Sequence, residues 1–263
     1  MVLEHRFFSG WQLAACTGVC ILVLGCLLFL RGYKSVVEVQ SYQTALGEQK
    51  NILLADGSKL VLNTNTSIRV QLDGDERVVY LDKGEVFFNI EPIGGRPFDV
   101  VMPKGVVRVL GTQFSVYKSD EQTLITVVEG KVGLAVNKKE LPRSDEINDD
   151  FHSDATLTAN QRLTLEAAML GELPEKVDAS TALAWRNRQL IYRGDNLGDV
   201  VRDLNRYFNA RIRLDGQSME KTKVVAVIQL GEVQGTLAAL ADSLNLTVLQ
   251  QKETNEFILQ AKQ

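Results

Sequence analysis

The sequence of 263 residues contains few of the side chains on which catalytic and metal sites usually depend. Its two histidines are His5 and His152, which nearly excludes a histidine-based triad or a multi-histidine metal site. The three cysteines, Cys16, Cys20 and Cys26, leave no disulfide framework or thiolate site for the rest of the chain. No G-x-S-x-G, P-loop or G-x-G-x-x-G motif is present. We therefore predict no conventional active site, no cofactor and no metal.

The charge of the chain argues against nucleic acid as a partner. Lysine and arginine number 29 against 33 acidic residues, for a net charge of -4. Binding to phosphate backbones requires a dense basic face, and the spacing of lysine and arginine shows none. The rest of the composition, 24% charged and 45% apolar, is ordinary for a globular chain of one or two domains.

One long apolar stretch, residues 12–30, contains no charge. As a helix rising ~1.5 Å per residue it is long enough to cross the ~30 Å hydrocarbon core of a bilayer, so we predict a transmembrane helix. A cleaved signal peptide is the alternative, but the run is longer than a usual signal and no A-x-A site follows it. The flanking charges, Arg6 on one side and Arg31 and Lys34 on the other, leave its orientation open.

Residues 36–170 alternate between apolar and polar side chains in short segments, separated by turn signals such as Asp56-Gly57 and Glu129-Gly130. This pattern predicts an all-β domain built as a sandwich, a barrel or a solenoid-like stack. The polar stretch at 137–154 predicts an exposed loop. The strand-like segments are VVEVQSY, NILLA, KLVLN, SIRVQL, RVVYLD, EVFFNIE, FDVVM, VVRVL, QFSVYK, TLITVVE, KVGLAV and QRLTLE.

Residues 175–263 show a different pattern, which predicts a small α+β module. The segment QLIYRG reads as a strand, and Asp195-Asn196 can cap a helix with apolar residues at helical spacing as far as Phe208. A second helix is predicted from about Thr236 to Leu244. With ARIRLD, VVAVIQL, LTVLQQ and EFILQ as further strands, the order of elements is βαββαββ.

Several of these segments resemble, in order, the motifs of the FecR family of membrane-spanning regulators of extracytoplasmic-function sigma factors. In the β domain the resemblance is carried by LADGSKLVLNTNTSIRV, RVVYLDKGEVFFNIE, RPFDV, VRVLGTQFSV and VVEGKVGL. The segment AWRNRQLIYRGDNLGDVVRDLNRY is similar to the family's carboxyl-terminal module, which is related to the short amino-terminal (STN) domain of secretins and TonB-dependent receptors. The resemblance extends from about Val36 to the end of the chain.

The resemblance implies a mainly β protein with one transmembrane helix, an all-β FecR-type domain and an STN-like α+β signalling module. It implies a single-pass protein of the inner membrane whose bulk lies in the periplasm. The implied partner is the periplasmic signalling domain of an outer-membrane TonB-dependent receptor. We therefore expect a signal-relay protein that links such a receptor, for iron or siderophore uptake, to the regulation of a sigma factor.

In the family, a cytoplasmic amino-terminal region binds the sigma factor. Only residues 1–11 precede the apolar stretch here, too few to bury a core or to cover a sigma-factor surface. We expect the sigma factor to be contacted directly or through a separate protein. The sequence leaves open whether sigma binding is lost, is carried by another protein, or is missing because of a misplaced start codon.

Gly111 and Thr112 join two predicted strands within the motif VRVLGTQFSV. The resemblance implies a candidate self-cleavage point here, because some members of the family cut their own chain at a Gly-Thr step in this motif. The Thr112 hydroxyl would attack the Gly111 carbonyl and convert the peptide to an ester that water breaks. The structural alternative is a glycine bulge or tight turn. Apart from this single-turnover step, we expect no enzyme activity.

A function from another class also fits the carboxyl-terminal module. Related domains build secretin-type complexes, so the alternative expectation is a structural assembly component of a secretin-like envelope complex.

Overall fold

The computed structural model describes residues 39–73, 76–137, 151–251 and 253–262. The predicted transmembrane helix at 12–30, the short segment 1–11 and most of the predicted loop lie outside these ranges. Within the described ranges, no helix is long and apolar enough to cross a membrane. The described residues all belong to one unit, Glu38–Gln263, in which the β domain and the α+β module pack together.

Thirteen strands form a curled sheet that folds into two layers. In hydrogen-bonded order, layer A contains β1 (Val39–Gln43), β4 (Ser67–Leu72), β5 (Arg77–Asn89), β6 (Phe98–Met102), β7 (Gly105–Val109), β10 (Lys131–Val136) and β11 (Ala155–Thr158). Layer B contains β2 (Lys50–Leu53), β3 (Lys59–Leu62), the second half of β5, β8 (Gln113–Lys118), β9 (Thr123–Glu129), β12 (Gln161–Thr164) and β13 (Glu175–Lys176). The predicted all-β domain is therefore a two-layered, curled sheet.

The core of the β domain lies between the two layers. Alternate side chains of each strand point inward, as the period-2 pattern requires, and one cluster of buried residues contains members from both layers. Its centre is aromatic: the ring of Phe88 stacks on Phe114 at 4.8 Å between centroids and meets Phe98 edge-on at 6.3 Å. These contacts join strand β6 of layer A to strands β5 and β8 of layer B.

The chain passes from one layer to the other within β5, at Gly84. Residues up to Lys83 pair in layer A, and those from Gly84 pair with β8 in layer B. Gly84 has a φ of 92°, and a Cβ atom there would lie 2.5 Å from Thr66 Cα. Only glycine combines this backbone angle with such a close contact, so the residue is required by the change of layer.

The last predicted strand of the β domain, QRLTLE, is wrong in its last two residues. The strand β12 ends at Thr164, and the next residues form the short helix α1 (Leu165–Met169). The Thr164 hydroxyl accepts a hydrogen bond from the Ala167 N–H at 3.1 Å, and Leu165 is buried against the core. An N-cap residue followed by helix-forming side chains therefore overrides the alternating pattern at this point.

The carboxyl-terminal module has the predicted βαββαββ order. Strands β14 (Gln189–Asn196) and β16 (Lys223–Gln229) form an antiparallel pair, while β15 (Arg211–Leu214), β18 (Glu256–Ala261) and β17 (Leu246–Gln251) form a three-stranded sheet. The principal helices are α3 (Leu197–Leu204) and α4 (Val233–Ser243). A short helix α2 (Ala179–Ala182) and a 3₁₀ helix at Ala184–Asn187 lead into the module, and a second 3₁₀ helix is at Gln217–Lys221.

The first helix of the module is shorter than predicted. It ends at Leu204 rather than continuing to Phe208, because the side chain of Asn205 exchanges hydrogen bonds of 2.8 Å with both backbone groups of Ile212 on β15. The N-cap position is Asn196, as predicted, but its amide donates to Asp199 and makes no cap hydrogen bond to the backbone. A side chain that ties a turn to a strand ends the helix, although the apolar spacing continues.

Candidate functional site

Gly111 and Thr112 lie where the chain leaves β7 of layer A and enters β8 of layer B. The step is thus the corner between the two layers, and the strands on its two sides have different partners. The Thr112 carbonyl accepts a hydrogen bond of 3.1 Å from the Ile90 N–H, just beyond the end of β5. A shift in strand register occurs one residue later, between Gln113 and Phe114.

Gly111 is required by a close contact, not by its backbone angle. Its φ is outside the left-handed region. A Cβ atom at Gly111 would lie 2.7 Å from the Cβ of Pro92, which belongs to the connection between β5 and β6. Any larger residue would push this connection away from the corner.

The Thr112 hydroxyl is buried at the corner and hydrogen-bonded there. Thr112 is 4% exposed, and its Oγ1 donates to the carbonyl of Lys131 at 3.0 Å. Gly130 packs against the same step with a φ of 87°, and a Cβ atom there would lie 2.9 Å from Thr112 Oγ1 and 3.1 Å from the Gly111 carbonyl oxygen. The corner therefore brings together a hydroxyl, an acceptor that directs its proton, and a glycine carbonyl.

An open pocket of about 480 Å³ borders this corner. Gly111, Thr112 and Lys131 form one wall, and Arg108 forms part of another. Arg108 is held in place by two hydrogen bonds to Asp99, of 2.7 and 2.8 Å. Water can reach the step from this side, as hydrolysis of an ester would require. Among the described residues, no cluster of histidine, cysteine or carboxylate side chains could hold a metal ion.

A second candidate site is a groove of about 530 Å³ between β16 and α4 in the module. In the described structure β16 pairs with β14 along one edge. The groove is lined by β16, by the residues that follow it and by helix α4. Val225 and Val227 are 79% and 65% exposed, whereas Val224 is fully buried. Gly235 and Ala239 on α4 keep the other side of the groove open. Exposed valines beside an incompletely paired strand are suited to a partner that adds an extended segment.

The module is attached to the outer face of layer B partly by apolar contacts. Phe87 of β5 is buried in the module's core rather than between the layers, together with Trp185. The guanidinium of Arg186 lies over the Phe87 ring, 4.0 Å from its centroid. The Gln49 side chain donates to the Trp185 carbonyl at 2.8 Å. The two parts thus share one continuous hydrophobic cluster.

A buried polar group lies in the same interface, and we call it the Arg206 cluster: Asn63, Glu85, Tyr117, Arg206 and Tyr207. Arg206 pairs with Glu85 at 2.5 Å and lies 3.9 Å from the centroid of the Tyr117 ring. The Asn63 amide donates to Glu85 at 3.0 Å and to the Tyr207 hydroxyl at 2.9 Å. The cluster therefore links strands β5 and β8, and the turn after β3, to the end of α3.

The pKa values in this cluster reflect its burial and its charges. Burial disfavours the charged form of Arg206, but the carboxylates of Glu85 and Asp203 outweigh it and raise its pKa above the ordinary value. Burial and the nearby charge of Glu85 likewise raise the pKa of Tyr207. Arg206 remains a cation and Tyr207 remains neutral throughout the physiological range.

Sequence reasoning identified the corner but missed most of its surroundings. Gly130 had been recognised only as a turn signal, and Pro92 and Lys131 gave no signal at all. The Arg206 cluster was also missed, although its members lie in the segments NTNTS, KGEV, SVYK and LNRY. Polar residues that interrupt an apolar pattern, such as Asn63, were the signal that could have indicated a buried interface.

Comparison with known proteins defines the class to which this fold belongs. Two crystal structures, each of a candidate anti-sigma factor from Parabacteroides distasonis ATCC 8503, superpose with a TM-score of 0.66 at 25% sequence identity. The matches cover 86% and 85% of this chain and 100% of each of those chains. No curated protein sequence matches.

The family follows from the β domain. The model of the FecR protein family matches residues 40–133, which include strands β2 to β9, all of β1 except its first residue, and the Gly111-Thr112 corner. The resemblance noted in the motifs is therefore confirmed over residues 40–133, which form a FecR-type domain.

Proposed function

We propose that the chain is a sigma-factor regulatory protein that relays a signal received by its α+β module. The observation that carries this proposal is the extent of the structural match: both candidate anti-sigma factors are covered over their whole length, and the match includes the β domain and the module together. The FecR family match supports the same role. The sigma factor is contacted directly or through a separate protein.

The proposed partner that delivers the signal is the periplasmic signalling domain of a TonB-dependent receptor, in a system for iron or siderophore uptake. In this proposal residues 12–30 anchor the chain in the inner membrane and the described residues lie in the periplasm. The groove beside β16 supports the proposal of such a partner. An extended segment of another protein can pair with β16 and cover Val225 and Val227.

Calorimetric titration of the full chain with the purified signalling domain tests the binding site. Val227→Asp should weaken binding at least about tenfold, because a charge would be buried against the incoming strand. Leu249→Asp is the matched control, since Leu249 is a partly exposed apolar residue of β17 in the other sheet of the module. Equal affinity of the two variants would place the binding site elsewhere.

The second part of the proposal is self-cleavage between Gly111 and Thr112. Thr112 Oγ1 attacks the Gly111 carbonyl carbon, the C–N bond breaks, and the hydroxyl proton passes to the Thr112 nitrogen, which becomes a free amine. Water then hydrolyses the resulting ester, leaving a carboxylate on Gly111 and restoring the Thr112 hydroxyl. The hydrogen bond to the Lys131 carbonyl supports this step, because it fixes the position of the Thr112 hydroxyl at the corner.

Incubation of the purified chain without protease tests the cleavage. A fragment beginning with Thr112 should accumulate, Thr112→Ala should abolish it, and Thr112→Ser should retain part of it because the hydroxyl is kept. Thr126→Ala is the matched control, since Thr126 is a buried threonine of β9 away from the step. A wild-type chain that stays folded and intact by mass spectrometry would assign the step a purely structural role.

The alternative is a structural component of a secretin-like envelope complex. The same module and its open β16 edge would then assemble with further copies or with secretin subunits. Co-purification distinguishes the two: the proposed function requires a sigma factor or its binding protein to be recovered with the full chain from membranes, and the alternative requires a secretin.

A further inference from the structure

The Arg206 cluster joins two stretches of chain that lie on opposite sides of Gly111-Thr112. Asn63 and Glu85 precede the step, whereas Arg206 and Tyr207 follow it. The ion pair between Glu85 and Arg206 and the hydrogen bond between Asn63 and Tyr207 therefore connect the amino-terminal and carboxyl-terminal halves of the β domain and module.

Further contacts of the module also join residues that follow Gly111-Thr112 to residues that precede it. The Thr64 hydroxyl donates to the Arg206 carbonyl at 2.9 Å, and Gln49 donates to the Trp185 carbonyl at 2.8 Å. Phe87, buried in the module's core, also precedes the step. The module is thus covalently part of the second half of the chain but is seated largely on residues of the first half.

The Arg206 cluster is suited to holding a fixed geometry. The side chain of Glu85 is 8% exposed and that of Arg206 is 24% exposed, so separating them would leave a carboxylate with little access to water. Glu85 is also bound by the Asn63 amide, and a second carboxylate, Asp203, binds Arg206 at 2.9 Å. With both charges bound in this way, any movement of the module that parts Arg206 from Glu85 is unfavourable.

We infer that the α+β module acts as a clasp, with the Arg206 cluster as its closure, which holds together the two halves of a chain cut at Gly111-Thr112. Strand pairing of β5 with β8 and of β7 with β10 also spans the cut, so the clasp adds to a contact that the β domain already makes. The role of the clasp in a cut chain rests on the proposed self-cleavage. The contacts that form the clasp are present in the uncut chain.

The clasp has a consequence for signal relay. A partner that pulls on the module acts through Arg206 on β5, in the half of the chain that carries the predicted membrane anchor. Until the Arg206 cluster opens, the cut chain responds as one body. Once it opens, the carboxyl-terminal half is held by strand pairing, by the layer core and by the remaining contacts of the module with Phe87 and Gln49.

The test separates the clasp from self-cleavage by making the cut with a sequence-specific protease. The full chain, carrying Thr112→Ala to prevent self-cleavage, receives the protease recognition sequence between Leu110 and Gly111, where both residues are exposed. The amino-terminal half is immobilised after cutting, and release of the carboxyl-terminal half is timed. Arg206→Met should release it about 100-fold faster, as expected for breaking a buried ion pair.

Arg202→Met is the matched control. Arg202 lies on helix α3, four residues before Arg206, and also pairs with an aspartate three residues away. Its side chain is 72% exposed and contacts no residue of the first half in any described interaction. Its loss should leave the release rate unchanged. Equal release from the Arg206 and Arg202 variants would overturn the inference.

Tyr207→Phe keeps the test decisive if Arg206→Met fails to fold. It removes only the hydroxyl that accepts the hydrogen bond from Asn63, and we expect release to be about fivefold faster. Release at the control rate would contradict the clasp. If the wild-type chain never cuts itself but the protease-cut Arg206 variant releases its half, the self-cleavage proposal fails and the clasp stands.

Discussion

One arginine is buried in the interior of the β domain and another is partly buried at its junction with the module, and the two arginines bind different kinds of groups. Arg77, 2% exposed, donates to the backbone carbonyls of Glu91 at 2.9 Å and Pro97 at 3.3 Å, and pairs with Asp56 at 3.2 Å. Arg206 instead binds carboxylates and tyrosine rings. The first arginine secures a connection within one domain, and the second secures one domain to the other.

This difference shows how a two-part protein can behave as one body. The connection secured by Arg77 contains Pro92, which packs on Gly111, so the interior arginine supports the geometry of the corner. The junction arginine supports the position of the module on layer B. The two supports share no residue, and variants can therefore disturb them separately.

Loss of the interior arginine should have the largest effect. Arg77→Met leaves the Asp56 carboxylate and several backbone carbonyls without a donor, and we expect a loss of about 3–5 kcal/mol in the free energy of unfolding, measured with urea. The control is Arg69→Met, whose ion pair with Asp82 is half exposed and should contribute less than about 1 kcal/mol. Similar losses in both variants would remove the distinction between buried and exposed pairs.

The same Arg77 variant shows whether the domain and the module unfold together. Trp11→Phe leaves Trp185, in the module's core, as the only tryptophan. Its fluorescence should then report the same lowered urea midpoint as the circular dichroism of the whole chain. A fluorescence midpoint that Arg77→Met does not move would mean that the module unfolds independently.

Gly130→Ala tests how tightly the corner is packed. Gly130 and Gly171 both have a positive φ, but only Gly130 has close neighbours for an added Cβ, at 2.9 Å from Thr112 Oγ1; no atom lies within 4 Å of one at Gly171. Both variants incur the cost of the left-handed backbone. Gly130→Ala should lower the free energy of unfolding by a further 1–2 kcal/mol, roughly, because the corner must shift. Equal losses would indicate an adaptable corner.

Alkaline pH should weaken the junction. Burial raises the pKa of Tyr192 and of Tyr207 above the ordinary value of 10.0. Because the unfolded chain ionises at the lower pH, the stability contributed by these groups is fully present below pH 10 and is lost as the pH rises above it. The urea midpoint should fall as the pH is raised above about 10, and less steeply in Tyr192→Phe/Tyr207→Phe. If the urea midpoint of that variant falls with pH as steeply as in the wild type, Tyr192 and Tyr207 are not the cause of the alkaline loss of stability.

Protonation of Asp178 at acid pH should have the smallest effect on the stability of the chain. Side-chain hydrogen bonds from Ser180 and Thr181 lower its pKa from the ordinary 3.8 to about 2. The carboxylate caps helix α2, and its contribution is present above pH 3.8 and lost as the pH falls through about 2. Asp178→Asn should lose less stability than the wild type over that interval in thermal unfolding. If the melting temperatures of the wild type and of Asp178→Asn fall in parallel with pH, protonation of Asp178 does not contribute to the loss of stability.

The elements of this protein could be predicted well because their patterns are local. Alternating side chains predicted most strands of both layers, and helical spacing with turn residues predicted βαββαββ for the module. The short strands β11 and β13 at the sheet edges were not predicted. Two further errors occurred where one side chain decides the end of an element: the Thr164 hydroxyl begins a helix, and Asn205 ends another. The Gly-Thr step was noticed for the same local reason, since it interrupts two strands.

The sequence by itself determined which segments are strands, which are helices and where the chain turns, because these depend on neighbours a few residues away. Only the tertiary structure decided that Gly111-Thr112 is a corner between layers, since Pro92 belongs to the connection between β5 and β6 and Lys131 to strand β10. It also decided that Glu85 meets Arg206, 121 positions further along the chain. Such contacts depend on how the strands are ordered and how the module is seated, and no short-range pattern carries that information.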